Sequence, residues 1–501
     1  MRILLALPVI LPVLGAALTL GASRFASAQR LTALLTLAGS FAAGVALLAA
    51  TRTDGPVATQ VGGWPAPYGI TLVVDTFSAL LVVVSTAVQL LVLVFALGQG
   101  SATEVRRVFY PVYLLLSAGV SGAFVAGDLF NLFVAFEVML TASYVMLVLG
   151  AGETQVRAAM TYVVCSLVSS LLFLTAVALT YAATGTVNLA DLAERLNDVP
   201  PGLRTTLGLL LLVAFGIKAA VFPLAFWLPD AYPTAPGPVT AVFAGLLTKV
   251  GLYALVRTQT LLFPGDGPST PLLVLAGTTI VVGTLGAVAQ DDLRRLLSFT
   301  IVGHIGYQLL GLGLFSVAGF AGMVFYTVHH IVMQTTLFLV AGMIERTAGA
   351  GALPRIGGLL KRSPLLALLF ALPAASLAGL PPLSGFVAKL ALIQAGLAQG
   401  RYVVVAAALL GGVLTIFAMA RVWNGAFWGA APSVDRDTAP PVDRDTAPPA
   451  RSPLLMTGAT GLLVAFGVAL AVGAGPLYAL SRDAADELIR PTAYVEAVLG
   501  R

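Results

Sequence analysis

Seven titratable residues lie in stretches of this chain that are otherwise apolar: Glu137, Lys218, Lys249, His304, His329, His330 and Lys389. Lys218 closes the run 207–217, and Lys249 is embedded in 239–256. A charge at the centre of a membrane helix costs roughly 2.5–3.5 kcal/mol on insertion scales. Such residues are kept for a function or are paired. The chain holds 23 arginines and only four lysines, and three of those lysines are Lys218, Lys249 and Lys389. Arginine stays protonated under biological conditions, whereas a lysine taken out of water is able to release its proton. Histidine exchanges protons near neutrality. The chemistry available to this row is therefore proton transfer between buried acids and bases, a lateral proton wire.

Each residue also has a plainer reading. A lysine snorkels or is structurally paired. Glu137 forms a plain salt bridge with Lys218 if the fifth and seventh spans touch. A buried histidine is a hydrogen-bonded core residue, and His329 and His330, about 100° apart on a helix, need not face one path. Asp75 and Asp128 lie near span ends, where solvated or capping roles are expected. Tyr144, Tyr253, Tyr307 and Tyr326 either hydrogen-bond along a wet path or pack as aromatics.

The elements that position these residues are membrane helices. Of 501 residues, 58% are hydrophobic and 10% charged, and the mean hydropathy is +0.97. An ordinary soluble domain is about 25% charged. Apolar segments are continuous, not alternating, which excludes a β-barrel. The chain reads as an all-α polytopic membrane protein of about 14 transmembrane helices. They are expected near 3–21, 31–49, 71–97, 109–126, 129–149, 160–184, 206–227, 239–258, 271–289, 296–315, 318–344, 365–393, 402–428 and 453–473. The seventh and twelfth are expected to be broken, because Pro223, Pro229, Pro233, Pro236 and Pro238 follow Lys218, and Pro381 and Pro382 precede Lys389. Freed backbone groups must be satisfied by protein or water, so broken helices line an internal polar path. The polar stretch 188–204 reads as a short surface helix capped by Asn188.

Fourteen basic residues fall in the loops between odd- and even-numbered spans, such as Arg24, Arg107 and Arg295. Nine, including Arg52, Arg204 and Arg257, fall in the opposite loops or at the termini. The positive-inside rule then puts both termini outside. The single Cys165 and three histidines imply no disulfide, metal site or cofactor, and no phosphate-binding loop supports ATP-driven transport. The net charge of +5 suits a membrane face, not nucleic acid. The seventh and twelfth spans lie five apart, an odd number, so a five-helix unit repeated once would be inverted. This divides the chain into an N-terminal three-helix segment (1–108), two inverted five-helix repeats (109–258 and 271–428), a flexible cytoplasmic linker (429–452) and a C-terminal helix and tail (453–501). Within the linker, VDRDTAPP occurs twice in tandem over 434–449.

KAAVFPLAFWLPDAYPTAPGPVTA, GLLTKVGLYALVR, DDLRRLLSFTIVGHIGYQLLGLG and LAGLPPLSGFVAKL resemble the proton-translocating antiporter-like subunits of respiratory complex I, membrane-bound hydrogenases and Mrp-type Na+/H+ antiporters. DLFNLFVAFEVMLTASYVML and VHHIVMQTTLFLVAGMIERTAG look most like the D subunits of the Mrp group. The resemblance implies fourteen helices with two inverted repeats, a Glu137–Lys218 pair, Lys249 as central relay, Lys389 as terminal site, and histidines in the tenth and eleventh spans. One departure is Gln334, where many relatives carry a lysine one turn after the eleventh-span histidine. The implied function is that of a plasma-membrane subunit in a hetero-oligomeric cation/proton antiporter of bacteria, passing protons to drive Na+ (or Li+, K+) out of the cell. Three rivals stand beside it: a redox-driven pump subunit, a structural membrane subunit whose charges only pair, and a stand-alone carrier.

Overall fold

Prolines and inward-facing polar residues decide where these helices stop and which of them lie inside. The computed structural model describes residues 2–99, 103–149, 153–265, 267, 269–430 and 454–500. The tandem VDRDTAPP repeat, and the expected linker beyond residue 430, fall outside the described residues. Among those described, thirteen helices are long and apolar enough to cross a membrane. The expected twelfth span is a pair of shorter apolar helices, Pro364–Ala378 and Ser384–Ala398. The chain is thus a predominantly helical, multi-pass membrane protein.

Three spans form the interior. All of the most apolar 18-residue stretch of the eighth span, Gly237–Leu261, is buried, as is 94% in the tenth (Leu293–Gly313) and eleventh (Val317–Ala348). The corresponding share is only 33% for the first span, Ile3–Gly21, and 39% for the thirteenth, Tyr402–Trp428. The inner three carry Lys249 and all three histidines, so the shell of outer spans keeps those groups from lipid. The fourteenth span, Leu454–Val472, packs on the third (Thr76–Gln99) and on the eleventh.

Both expected breaks are present and close in the same way. The seventh span, Pro201–Ala219, ends at Ala220 in a left-handed conformation (φ 57°), and the Val221 N–H donates to the Gly216 carbonyl at 2.9 Å. The twelfth breaks at Gly379 (φ 89°), and the Leu380 N–H donates to the Ala375 carbonyl at 3.0 Å. A bond reaching back over a left-handed residue satisfies a carbonyl that the helix no longer uses. The prolines that follow cannot restart the ladder.

A second feature also occurs twice. Asp128 caps the fifth span, Leu129–Leu147, and Asp292 caps the tenth. Beside the first cap, Leu129 N–H donates to Val187 O and Leu189 N–H to Gly127 O, at 2.9 and 3.0 Å. Beside the second, Leu293 N–H donates to Gly351 O and Leu353 N–H to Asp291 O, at 3.1 and 2.7 Å. The first bridge lies beside the second half of the eighth span, where Tyr253 bonds the Phe124 carbonyl and the helix Leu189–Arg195 packs on it, and the second lies where that span begins, beside the Arg294 bond to the Ala235 carbonyl.

Several local expectations need correction. The third span starts later than expected, because Thr71–Val74 pairs antiparallel with Val57–Gln60 in a two-stranded sheet. The helix Leu189–Arg195 is capped by Asn188 as expected, but its first residues are buried. Asn188 donates from Nδ2 to Thr71 Oγ1, so this helix is anchored in the bundle instead of lying free on the surface. Arg257 is no loop charge. It lies inside the eighth span, 3% exposed, and pairs with Asp75 at 2.7 Å. The expected C-terminal tail forms two further helices, Ala474–Ile489 and Thr492–Leu499, that fold back onto the protein.

Close packing of the ninth span, Thr270–Val288, against the tenth depends on glycine. A Cβ on Gly283 would fall 2.2 Å from the Gly303 nitrogen, next to His304. Gly283→Leu should therefore separate these spans, at a cost of about 1–3 kcal/mol or more. The expected result is a lower melting temperature, or loss, of the assembled complex in detergent, with Gly202→Ala, which meets nothing within 4 Å, as the neutral control.

Candidate functional site: a chain of buried lysines and histidines

Lys218 occupies the last turn of the seventh helix, where the negative end of the helix dipole favours a cation. It is 6% exposed. Its Nζ donates to Ser170 Oγ at 2.9 Å and to the Ser166 carbonyl at 3.4 Å, both on the sixth span, Glu153–Thr184. Ser170 Oγ in turn donates to Glu137 Oε1 on the fifth span. The implied Glu137–Lys218 pair is therefore indirect: one serine hydroxyl stands between the two charges, and among the described residues no Glu137–Lys218 ion pair closes within 4 Å. The Lys218 ammonium also lies 5.6 Å from the centre of the Phe136 ring. A cavity of about 10 Å³, lined by Tyr162, Ser166, Lys218, Trp227 and Leu247, adjoins it. That is near the size of a single water. Leu247 belongs to the eighth span, so the cavity opens from Lys218 toward the helix of Lys249.

Lys249 is fully buried. It follows a π-helical stretch, Phe243–Leu247, that interrupts the eighth span. Its Nζ donates to the Ala244 carbonyl at 2.9 Å and to Thr248 Oγ1 at 3.1 Å. Such bulges widen a helix and mark functional sites. Here the widened turn presents a carbonyl to the ammonium. It also presses on the eleventh span, since a Cβ on Gly245 would fall 2.2 Å from Thr335 Oγ1.

The histidines continue the chain in two directions. His330 faces His304, with ring centres 5.3 Å apart. His304 Nδ1 lies 2.7 Å from the Tyr326 hydroxyl, and its Nε2 lies 3.5 Å from Thr415 Oγ1 on the thirteenth span. Tyr326 stacks on Tyr307 at 5.3 Å, and Lys389 Nζ lies 5.1 Å from the centre of the Tyr307 ring. His329 turns instead to the broken twelfth span. Its Nδ1 is 2.9 Å from Ser384 Oγ, which is 3.2 Å from Ser376 Oγ across the break. Lys389, 7% exposed, donates to the carbonyls of Leu377 and Ala378 at 3.0 and 2.9 Å, beside the left-handed Gly379. Both neighbouring histidines thus join one polar seam.

Several buried polar atoms along this seam have no protein partner: both side-chain atoms of Gln308, Nε2 of His329, both ring nitrogens of His330, Oε1 of Gln334 and Oγ1 of Thr335. Buried polar groups are ordinarily bonded, so a run of them in the densest part of the bundle marks a path able to hydrogen-bond to water. Gln334 is tied to the tenth span, donating to the Leu297 carbonyl at 2.8 Å and to Thr300 Oγ1 at 3.2 Å.

The structure therefore places all seven expected residues on helices that pack in series on one another. It adds Ser170, Thr248 and Ser384, which the sequence reading did not place there. A signal existed for Ser170, since Ser166 and Ser170 lie one helical turn apart in an apolar span. No sequence signal distinguished Thr248 or Ser384 from other hydroxyls near a helix break. Tyr326 proves to be both stacked and hydrogen-bonded, so its two readings are not exclusive.

The chain matches the family model "NADH:quinone oxidoreductase/Mrp antiporter, TM" over residues 126–415, which contain the whole seam. It is 39% identical to the D subunit of the Na+/H+ antiporter of Alkalihalophilus pseudofirmus over the full length of both chains. Among solved structures it is similar to a chain of the Mrp complex from Dietzia sp., with a TM-score of 0.91, 36% identity and complete coverage of both chains. It is also similar, at a TM-score of 0.89, 26% identity and complete coverage of both, to a chain of an archaeal membrane-bound sulfane sulfur reductase. This chain belongs to the membrane-spanning antiporter family shared by NADH:quinone oxidoreductases and Mrp complexes, among the D subunits of its Na+/H+ antiporters.

Proposed function

We propose that the seam is the proton path of a hetero-oligomeric cation/proton antiporter, and that this subunit passes protons while Na+ (or Li+, K+) leaves the cell. The observation that carries this reading is how the three buried lysines are held. None has a carboxylate within 4 Å among the described residues, and each is held by carbonyls or hydroxyls: Lys218 by the sixth span, Lys249 at the π-helical bulge and Lys389 at the twelfth-span break. Arg257, buried in the same protein, is instead clamped to Asp75 at 2.7 Å. A group that only needs to be neutralised is paired directly. A group that must load and release a proton is held by neutral oxygens, which tolerate both states.

In this account Glu137 acts on Lys218 through Ser170, Lys249 is the central relay, His330, His304 and Tyr326 lead toward Lys389, and His329 joins through Ser384. The buried charges of the seam are mostly basic and would repel a metal cation, which supports the proton arm in this chain and a Na+ path elsewhere in the complex. The matching breaks and matching bridges support two repeats, and the position of the bridges beside opposite halves of the eighth span supports their inversion. The loop charges support termini on the outside of the plasma membrane. A redox-driven role in a larger oxidoreductase is the second reading, favoured by the likeness to the sulfur reductase chain. The 39% identity to the D subunit of an antiporter favours the first.

Lys218→Ala should abolish Na+-induced proton movement in everted vesicles carrying the whole complex, with assembly intact on the same membranes. Loss of assembly instead would favour a structural subunit. Ser170→Ala removes the hydroxyl between Glu137 and Lys218. A hydrogen bond to a charged group contributes about 1.5–3 kcal/mol, so exchange should fall by about tenfold or more. For orientation, a cysteine at Tyr68, 86% exposed, should react with an impermeant maleimide added to whole cells in a Cys165→Ala background, and one at Asp230 should react only in everted vesicles.

A further inference from the structure

The path as described reaches Lys249 and Lys389 but has no assigned connection along the rest of the eighth span. That helix carries Lys249, Tyr253 and Arg257 at successive four-residue steps, which places them on one face over about 12 Å. The Tyr253 hydroxyl donates to the Phe124 carbonyl, and the Arg257 guanidinium lies 5.3 Å from the Tyr253 ring and 4.9 Å from that of Tyr494. Asp75, 1% exposed, pairs with Arg257 and accepts from the Ser78 N–H at 2.9 Å, so it is held fixed at the start of the third span. Glu487, on the helix Ala474–Ile489, accepts from the Thr76 N–H and hydroxyl at 2.9 and 2.7 Å. Unlike Asp75 it is only half-buried. Two further polar atoms in the cluster, Arg257 Nε and the Tyr494 hydroxyl, are buried without a hydrogen-bond partner.

We propose that Glu487 is the terminal proton-exchanging group between Lys249 and the aqueous face at this end of the bundle, with Arg257 and Asp75 as the fixed charges that set its proton affinity. This rests on the relay reading given above. In the step concerned, the Lys249 ammonium loses a proton along the Tyr253 face and the Glu487 carboxylate gains one. Charge balances, and Glu487 then returns the proton to water. Burial and the nearby Asp75 carboxylate push Glu487 above the ordinary glutamate range, while its Thr76 bonds and Arg257 pull the other way. Asp128, a second buried acid at this end, is pushed up to about 6 by burial. It caps the fifth span through Asn131. Of Asp75, Asp128 and Glu487, Glu487 alone is only half-buried.

The test is Glu487→Gln in the whole complex, measured as Na+-induced proton movement in everted vesicles across pH and normalised to assembled complex. Glutamine keeps an acceptor for Thr76 but cannot titrate. Exchange should fall by about tenfold or more. A normal rate with an unshifted pH profile would overturn the proposal and leave Glu487 as a contact to Thr76. If Glu487→Gln does not assemble, Glu487→Asp decides: a displaced pH profile supports the proposal, and an unchanged one overturns it. Lys249→Ala in parallel separates the two levels. Lost exchange there with normal Glu487→Gln sinks the terminus alone, whereas normal exchange in Lys249→Ala sinks the relay and the terminus with it.

Discussion

A lysine ammonium inside the hydrocarbon layer must find oxygen atoms: Lys249 and Lys389 find them where their own helices are interrupted, and Lys218, at a helix end, finds them on Ser166 and Ser170 of the neighbouring sixth span. An unsatisfied polar group in that layer costs several kcal/mol. An unbroken helix uses its carbonyls internally and offers a cation chiefly its side-chain hydroxyls, as Ser170 does for Lys218. The left-handed residues Ala220 and Gly379 end their helices beside Lys218 and Lys389, and the π-helical turn before Lys249 exposes the Ala244 carbonyl. Prolines after the first two breaks stop the helix from healing. The cost of interrupting the backbone ladder is offset by solvating a buried charge, and an outer shell of apolar spans then keeps lipid away.

The same bundle handles another cation in the opposite way. Arg257 is directly paired with Asp75, and two aromatic rings cover its guanidinium. A unit charge at 4 Å contributes about 4 kcal/mol at an effective dielectric constant near 20. That corresponds to about three powers of ten in proton retention. A carboxylate so close to Lys218 would hold its proton too firmly for turnover. The serine between Glu137 and Lys218 keeps the acid near enough to influence the lysine without locking it. On the proposed relay, a structural charge and an exchanging one differ in the choice of partner.

Much of this was legible in the sequence, for physical reasons. Span positions follow from continuous apolarity, and the two breaks follow from proline chemistry next to Lys218 and Lys389. The choice of lysine over arginine inside spans pointed to the path. What was not legible depends on helix rotation and on distant partners. Hydropathy cannot say that Arg257 faces Asp75, 182 positions earlier in the chain, instead of a loop. The π-helical turn leaves no proline to announce it. The strand Thr71–Val74 is as apolar as the helix it precedes. Ser170 looked like one polar residue among several until the fifth and seventh spans were seen on either side of it. The C-terminal helices, with Glu487, are too polar to read as spans, and only their packing shows that they belong to the bundle.

The central claim is that these lysines serve because they can release a proton, not because they are positive. Lys249→Arg tests it most directly, since arginine keeps the charge and cannot give up its proton. Proton movement driven by Na+ would be measured in everted vesicles, with assembly of the complex confirmed on the same membranes. The account predicts an assembled complex with exchange abolished. Exchange at the wild-type rate would contradict it, because a permanently charged residue would then serve as well as lysine at the centre of the path.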